Sequence, residues 1–315
     1  MRIISLLPSA TEIAYALGLE EHIVGVTHEC DYPPQVKAKP VVVRSTIDTP
    51  SLHPAEIDAA VSQRLKDGKS LYQVDENMLR ELSPDIILTQ DLCQVCAPSG
   101  DEIARVLKVL PHPPHVVWLT PTCLNDIFES IVHVGKETGT ADEATQLVTA
   151  LRKRVDAVAN KRSVLQSPPR VFCMEWLTPP FTSGHWMPEL VELVGGVDGL
   201  APKGKPSMRI AWEQIVEYAP EVLILNPCGF DLRGTVNQAH LLTAHPGWSD
   251  LPAVQTGRVY AVDANSYFAR PGPRVVDGLE LLASLIQPKQ FDWLGPSDAY
   301  QSLSVDDIAT PSSVS

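Results

Sequence analysis

Short apolar runs alternate along the chain with stripes of helical period. Ile3-Ile4-Ser5-Leu6-Leu7 is strongly apolar and predicts a buried parallel strand. Ser9-Ala10-Thr11-Glu12 follows with capping-box spacing, Ser9 as the cap and Glu12 three residues on, so a helix is predicted over Thr11–Leu17, closed by Gly18. Ile23–Val26, Val41–Val43, Asp85–Thr89 and His115–Leu119 predict further strands, and Pro54–Lys66 and Asp75–Leu82 predict helices. Thr122–Gly139 carries apolar residues at 124, 127, 128, 131 and 134, and Ala141–Val164 at 144, 147, 148, 151, 155 and 158. Spacings of three and four make each set one buried stripe.

The second half repeats the grammar of the first. Leu79-Arg80-Glu81-Leu82-Ser83-Pro84-Asp85-Ile86-Ile87-Leu88 and Ile215-Val216-Glu217-Tyr218-Ala219-Pro220-Glu221-Val222-Leu223-Ile224 are each a helix end, a proline, an acid and an apolar strand. The expected architecture is α/β: two Rossmann-like lobes with parallel sheets, residues 1–121 and 168–288, joined by a helical connector over 122–167. A tail over 289–315 is expected to be mobile from Pro296 onward. In parallel sheets ligands bind beyond the carboxyl ends of the strands, so two facing lobes would present both sets of strand-end loops to one cleft.

Composition removes several classes. The 315 residues carry a net charge of −13, which argues against nucleic acid or an anionic membrane surface as the main partner. No segment approaches about 18 apolar residues, so no membrane insertion is expected. The N-terminus has one basic residue and a short apolar run broken by Pro8, unlike a signal peptide. The literal reading is a cytoplasmic protein; a chain whose leader has been removed would read the same and be periplasmic or extracellular. Six cysteines in a chain this long are not a disulfide scaffold, and Cys93 and Cys96 form a lone Cys-x-x-Cys pair.

Chemistry-bearing side chains gather at the predicted strand ends. Ser9 follows the first strand, and His28, Glu29, Cys30 and Tyr32 the second. Arg170-Val171-Phe172 predicts the first strand of the second lobe, and a stiff loop after it carries Glu175, Trp176, Phe181, His185 and Trp186, with Pro179 and Pro180 between them. Phe230 follows the Glu221 strand; Tyr267, Phe268 and Arg270 follow the Arg258–Val262 strand. Trp and His on a stiff loop suit a flat, partly polar ligand or fill a lobe interface. His28, Cys30, Cys93 and Cys96 form a soft ligand set for zinc or iron, set against the reading that free cysteines are buried small hydrophobes. Arg270 and Arg274 flank a helix start and need an anion, from a ligand or from Asp263, Asp277 or Glu175. The chain lacks Gly-x-Ser-x-Gly, His-Glu-x-x-His, a P-loop and a Gly-x-Gly-x-x-Gly turn after its first strand. No catalytic residue is assigned.

Arg2-Ile3-Ile4-Ser5-Leu6-Leu7-Pro8-Ser9-Ala10-Thr11-Glu12, the Ser83–Leu88 strand, the long middle helix and Gly257-Arg258-Val259-Tyr260-Ala261-Val262-Asp263 resemble the helical-backbone substrate-binding proteins of ABC importers, most of all their cobalamin-binding branch. The resemblance covers about residues 1–287. It implies two lobes on a rigid helical connector, binding without chemistry, cobalamin or another corrinoid, or a related metal-bearing tetrapyrrole such as haem, as ligand, and an ABC permease as partner. It further implies ring contacts from Tyr32, Trp176, Phe181, Trp186, Phe230, Tyr267 and Phe268, with His28 or His185 as axial ligand.

Overall fold

The computed structural model describes residues 1–49, 52–90, 103–104, 107–108, 110–162 and 167–304. The chain divides into two units, Met1–Pro121 with Asn125–Ala150 and Thr122–Leu124 with Leu151–Ser315.

In the first unit a six-stranded sheet runs β4-β3-β2-β1-β5-β6, from β1 (Ile3–Ser5), β2 (Ile23–Thr27), β3 (Val41–Ser45), β4 (Tyr72–Val74), β5 (Ile86–Thr89) and β6 (His115–Trp118). All neighbours pair in parallel except β3 and β4. The chain winds one way through β2 and β3 and the other way through β5 and β6, so β1 and β5 flank the switch point of a doubly wound sheet. Helix α1 (Pro8–Ala16) starts three residues earlier than its capping pattern predicts. Pro8 at the first helical position fixes φ where no N–H is needed. Ser9 therefore lies inside the first turn, buried, and Leu7 is the cap residue without a side-chain bond. Helix α2 (Pro54–Lys66) keeps its predicted limits, and α3 (Glu76–Leu82) is capped by the Asp75 carboxylate, which accepts from Met78 N at 2.9 Å. Ile4, Leu6, Val42, Val43, Leu79 and Ile87 form the core between sheet and helices.

Helices α4 (Leu124–Thr138) and α5 (Ala141–Lys161) bury the predicted stripes except at Leu147, which is half-buried. Leu124, Ile127, Phe128, Ile131 and Val134 are buried, as are Ala144, Val148, Leu151, Val155 and Val158. The unit boundary falls within α5, between Ala150 and Leu151. Arg154, just past it, donates to Glu280 (2.9 and 2.6 Å) and Asp277 (2.5 Å) on α11 (Val275–Ile286), which fastens this half of α5 to the second unit. Both acids pull the Arg154 guanidinium pKa further up, so it stays charged throughout the working range.

The second unit holds a five-stranded sheet in the order β11-β10-β9-β7-β8, from β7 (Val171–Leu177), β8 (Pro180–Thr182), β9 (Val222–Leu225), β10 (Val259–Val262) and β11 (Tyr300–Ser302). β7, β9 and β10 are parallel; β8 and β11 are antiparallel edges. α6 (Met187–Leu193), α7 (Trp212–Tyr218), α8 (Leu232–Gln238), α9 (Pro252–Gln255), α10 (Ala264–Tyr267) and α11 complete it. Three features of the fold depart from the sequence reading. β4 and β11 are too short for their alternation to register. Within the stretch expected to be mobile, Tyr300 and Ser302 of β11 pair with Val262 and Tyr260, and Ala299 and Leu303 are buried. Third, the stretch after Phe172 is a β-hairpin and not a loop.

Candidate functional site

The hairpin is set by a bulge. Phe172, Met174 and Leu177 all lie in the core of the second unit, a spacing of two and then three. Side chains on a strand alternate faces, so this spacing requires one extra residue between Met174 and Leu177. The register shifts there, with Met174 opposite Thr182 but Trp176 opposite Phe181 and Leu177 opposite Pro180. The bulge at Glu175 thus turns Trp176 away from the core face, and Trp176 and Phe181 are half-buried. Thr178 and Pro179 make the tight turn across a cis peptide, and Trp176 Nε1 donates back to Thr178 O at 3.0 Å. Pro180 is tolerated because the ladder lost at its missing N–H is replaced on the other side: its carbonyl accepts from Ile210 N at 3.0 Å.

The adjoining loops are tied to this hairpin. Cys228 N donates to Glu175 O at 3.0 Å, and Asn265 N to Phe230 O at 3.2 Å, so the loops after β7, β9 and β10 hold one another. The Phe230 ring tilts at 58° against Trp176 with centroids 5.5 Å apart. On the far side a strap, residues 203–210, lies along β8. Thr182 N donates to Met208 O at 2.9 Å, His185 N to Lys205 O at 2.7 Å, and Phe181 bridges Arg209 in antiparallel register. The strap runs so close to Gly184 that a Cβ there would stand 2.4 Å from Ser207 N, which only glycine avoids. Residues in register across neighbouring strands share a face. Trp176, Phe181 and Arg209 therefore form a transverse row, with the Arg209 guanidinium 5.6 Å from the Phe181 ring centre. Arg209 has no signal in the sequence, because a bridge between distant segments places it.

The remaining candidates of the second unit sit elsewhere. Trp186 and Phe268 are buried, and Trp186 Nε1 donates to Phe268 O at 3.0 Å. Tyr267 is buried beside them, its ring edge-on to Trp293 at 5.6 Å. Burial first, and Asp263 second, push its phenol up to about 12. All three of these expected ring contacts are buried in this structure. Large aromatics at strand ends fill the space beneath short helices as readily as they line a site. His185 has a left-handed backbone (φ 51°), stacks on Trp186 at 5.6 Å and has its Nε2 enclosed without a hydrogen-bond partner. Burial lowers its pKa, which favours the neutral ring. An enclosed Nε2 is not presented as an axial ligand. Arg270 is half-buried in the loop between α10 and α11.

In the first unit, Tyr32 is 44% exposed and precedes Pro33 through a cis peptide. His28 and Glu29 are exposed, with His28 Nε2 4.0 Å from Glu29 Oε1 and Nδ1 3.3 Å from Val43 O. Cys30 turns inward, its Sγ 3.1 Å from Thr11 Oγ1 and 3.8 Å from Thr27 Oγ1. His28 and Cys30 thus engage different partners and do not converge. Cys93 and Cys96 lie outside the described residues. Among the described residues no three or more His, Cys, Asp or Glu side chains are arranged to hold a metal ion.

One buried carboxyl supports the strand that carries Trp176. Asp198 accepts from Cys173 N at 3.3 Å, Leu200 N at 3.3 Å and Ala201 N at 3.2 Å, tying β7 to the turn after α6. Burial pushes it from 3.8 up to about 7, against those backbone donors. The folded chain then holds a proton that the unfolded chain releases. Its stabilising effect is complete below 3.8 and is lost as pH rises through about 7. We expect urea midpoints of the native protein to fall across that window relative to Asp198→Asn, whose amide does not titrate. Parallel midpoints would contradict this.

The chain thus presents two α/β units, each built on a mostly parallel sheet, with helix α5 running across the boundary between them. The chain belongs to the periplasmic binding protein family, which it matches over residues 3–266. It is 26% identical over 301 residues to the uncharacterized ABC transporter substrate-binding lipoprotein YvrC of Bacillus subtilis, covering 92% of this chain and 81% of that one. It is 26% identical over 293 residues to the vitamin B12-binding protein of Vibrio cholerae, covering 92% and 90%. Among solved structures it superposes on the periplasmic heme-binding protein RhuT of Roseiflexus sp. RS-1 with a TM-score of 0.68 at 20% identity, covering 92% and 99%. A lipoprotein and a periplasmic protein stand among these likenesses, so the cytoplasmic reading of the N-terminus finds no support in them. No described helix is long and apolar enough to cross a membrane.

Proposed function

We propose that this chain binds a flat, metal-bearing tetrapyrrole, a corrinoid or a haem, and hands it to an ABC permease outside the cytoplasm. The observation that carries this is the row made by Phe230, Trp176 and Phe181, released to one face by the Glu175 bulge. Aromatic faces bind planar macrocycles by burying apolar area with little loss of side-chain entropy. The vitamin B12-binding relative supports the corrinoid, and the haem-binding fold neighbour keeps haem in the same ligand class. The permease follows from the name of the substrate-binding lipoprotein. The protein is a carrier in this reading: the metal belongs to the cargo, and the chain supplies shape and orientation.

Titration with cyanocobalamin, dicyanocobinamide and haemin tests the reading directly. A saturable shift in the ligand's visible absorbance, with quenching of tryptophan emission, is expected for at least one of the three. Absence of both signals with all three overturns the proposal.

A further inference from the structure

We propose that Asn226 selects macrocycles whose edge arms carry N–H donors, amidated corrinoids over haem, an inference that rests on the tetrapyrrole reading above. Asn226 is the residue that follows β9, and the backbone fixes its place. Its N–H donates to Met174 O at 3.0 Å, and Cys228 N, two residues on, donates to Glu175 O at 3.0 Å. Met174 lies opposite Leu225 on the neighbouring parallel strand, and both side chains belong to the core of the second unit. Successive residues of a strand turn to opposite faces, so the next pair, Glu175 and Asn226, stands on the face away from that core. The bulge turns Trp176 to that face as well, and Phe181 shares it as the partner of Trp176 on β8. Asn226, Trp176 and Phe181 therefore occupy one face of three adjacent strands, β9, β7 and β8. Backbones about 4.8 Å apart make that row span roughly 10 Å, of the order of a tetrapyrrole macrocycle. A ring resting on the two aromatics brings an edge over Asn226.

The carboxamide oxygen has no donor within the chain. Asn226 is 3% exposed, and its Oδ1 is enclosed without a hydrogen-bond partner. A buried acceptor left unmade costs its full desolvation, and folded chains keep few of them. The terminal torsion of Asn is broad, so a turn about one bond carries Oδ1 toward an arriving group. The two candidate cargoes differ in what they offer there. A corrinoid carries primary amides on flexible arms that stand off the ring plane, and each amide has two N–H donors. Haem carries ionised carboxylates, which only accept. The charge of the chain points the same way. At −13 it repels an anionic cargo at long range and leaves a neutral amide edge unopposed.

The experiment compares two corrinoids that differ at the arms: dicyanocobinamide, which has amides, and dicyanocobyrinic acid heptamethyl ester, which has no N–H donor. Haemin is the third ligand. Dissociation constants and urea midpoints are measured for the native protein, Asn226→Asp, Asn226→Leu and Asn226→Ala. The native protein is expected to bind the amide about tenfold more tightly than the ester, and haemin more weakly than the amide. Asn226→Asp keeps an acceptor and is expected to keep the preference. Asn226→Leu and Asn226→Ala are expected to bind amide and ester equally. Leucine replaces an unpaired polar group by an apolar one of similar size, so the urea midpoint of Asn226→Leu should match or exceed the native one. A merely structural asparagine would lower it. Equal binding of amide and ester by the native protein, tighter binding of haemin, or a preference that survives Asn226→Ala overturns the assignment and leaves the tetrapyrrole reading intact. Failure of all three ligands to bind the native protein overturns both.

Discussion

Trp176→Ala is expected to weaken tetrapyrrole binding about thirtyfold, a loss of about 2 kcal/mol, while the unfolding midpoint stays close to native. The expectation follows from what the side chain touches. Its ring is half-buried, meets Phe230 at 5.5 Å and sends its N–H only to the adjacent turn carbonyl. Removing it forfeits an aromatic pair of about 0.5–1.5 kcal/mol but opens no core cavity. A planar ligand loses the middle ring of the row. Trp176→Phe should recover most of the affinity, since it restores a face. The measurement is a dissociation constant beside a urea midpoint. A native constant in Trp176→Ala would place the ligand elsewhere.

Trp186→Ala carries the opposite profile. Ten residues along the chain, this tryptophan is 6% exposed and donates to Phe268 O. Its truncation leaves a cavity, at about 3–5 kcal/mol for a large aromatic, and strands a buried carbonyl. We expect a large fall in the urea midpoint, enough to leave a marginal domain partly unfolded at ordinary temperature. Trp186→Phe keeps most of the volume and loses only the N–H, so it should fold and bind ligand with native affinity. If Trp186→Phe instead folded normally and lost the ligand, the residue would be part of the binding surface.

These two tryptophans mark the limit of what the sequence discloses. Both stand in one aromatic stretch, and chain position alone made them equivalent. What separates them is a single extra residue at Glu175, which no periodicity in a seven-residue strand reveals. The two prolines at 179 and 180 pointed to a loop, yet Pro180 occupies an edge strand whose ladder is completed by Ile210 from another segment. Long-range pairing of this kind is invisible to local pattern, and Arg209 reached the site by the same route.

The architecture was far more legible. Five apolar positions in α4 at spacings of three and four are all buried. The Pro-acid-apolar repeat marks equivalent strands: β5 and β9 both follow a helix closed by a left-handed non-glycine residue, Ser83 at φ 41° and Ala219 at φ 50°. The repeat was visible as letters; its backbone conformation was not, because glycine is the residue that announces it. Ser9 shows the converse. A correct capping motif lost to a proline one position earlier, whose fixed φ starts the helix sooner.

The strand Tyr300–Ser302 has a bearing on biogenesis. It is hydrogen-bonded to β10, and β10 has only β9 on its other side. During synthesis β7, β8, β9 and β10 emerge in that order, each able to find a neighbour at once. The flank of Val259–Val262 has none until the chain some forty residues further on leaves the ribosome. For that interval the nascent protein carries an open rank of N–H and C=O groups over a strand of buried valine and alanine. Such a flank recruits other chains. Holding the nascent chain apart from its neighbours until this strand arrives is a task for chaperones.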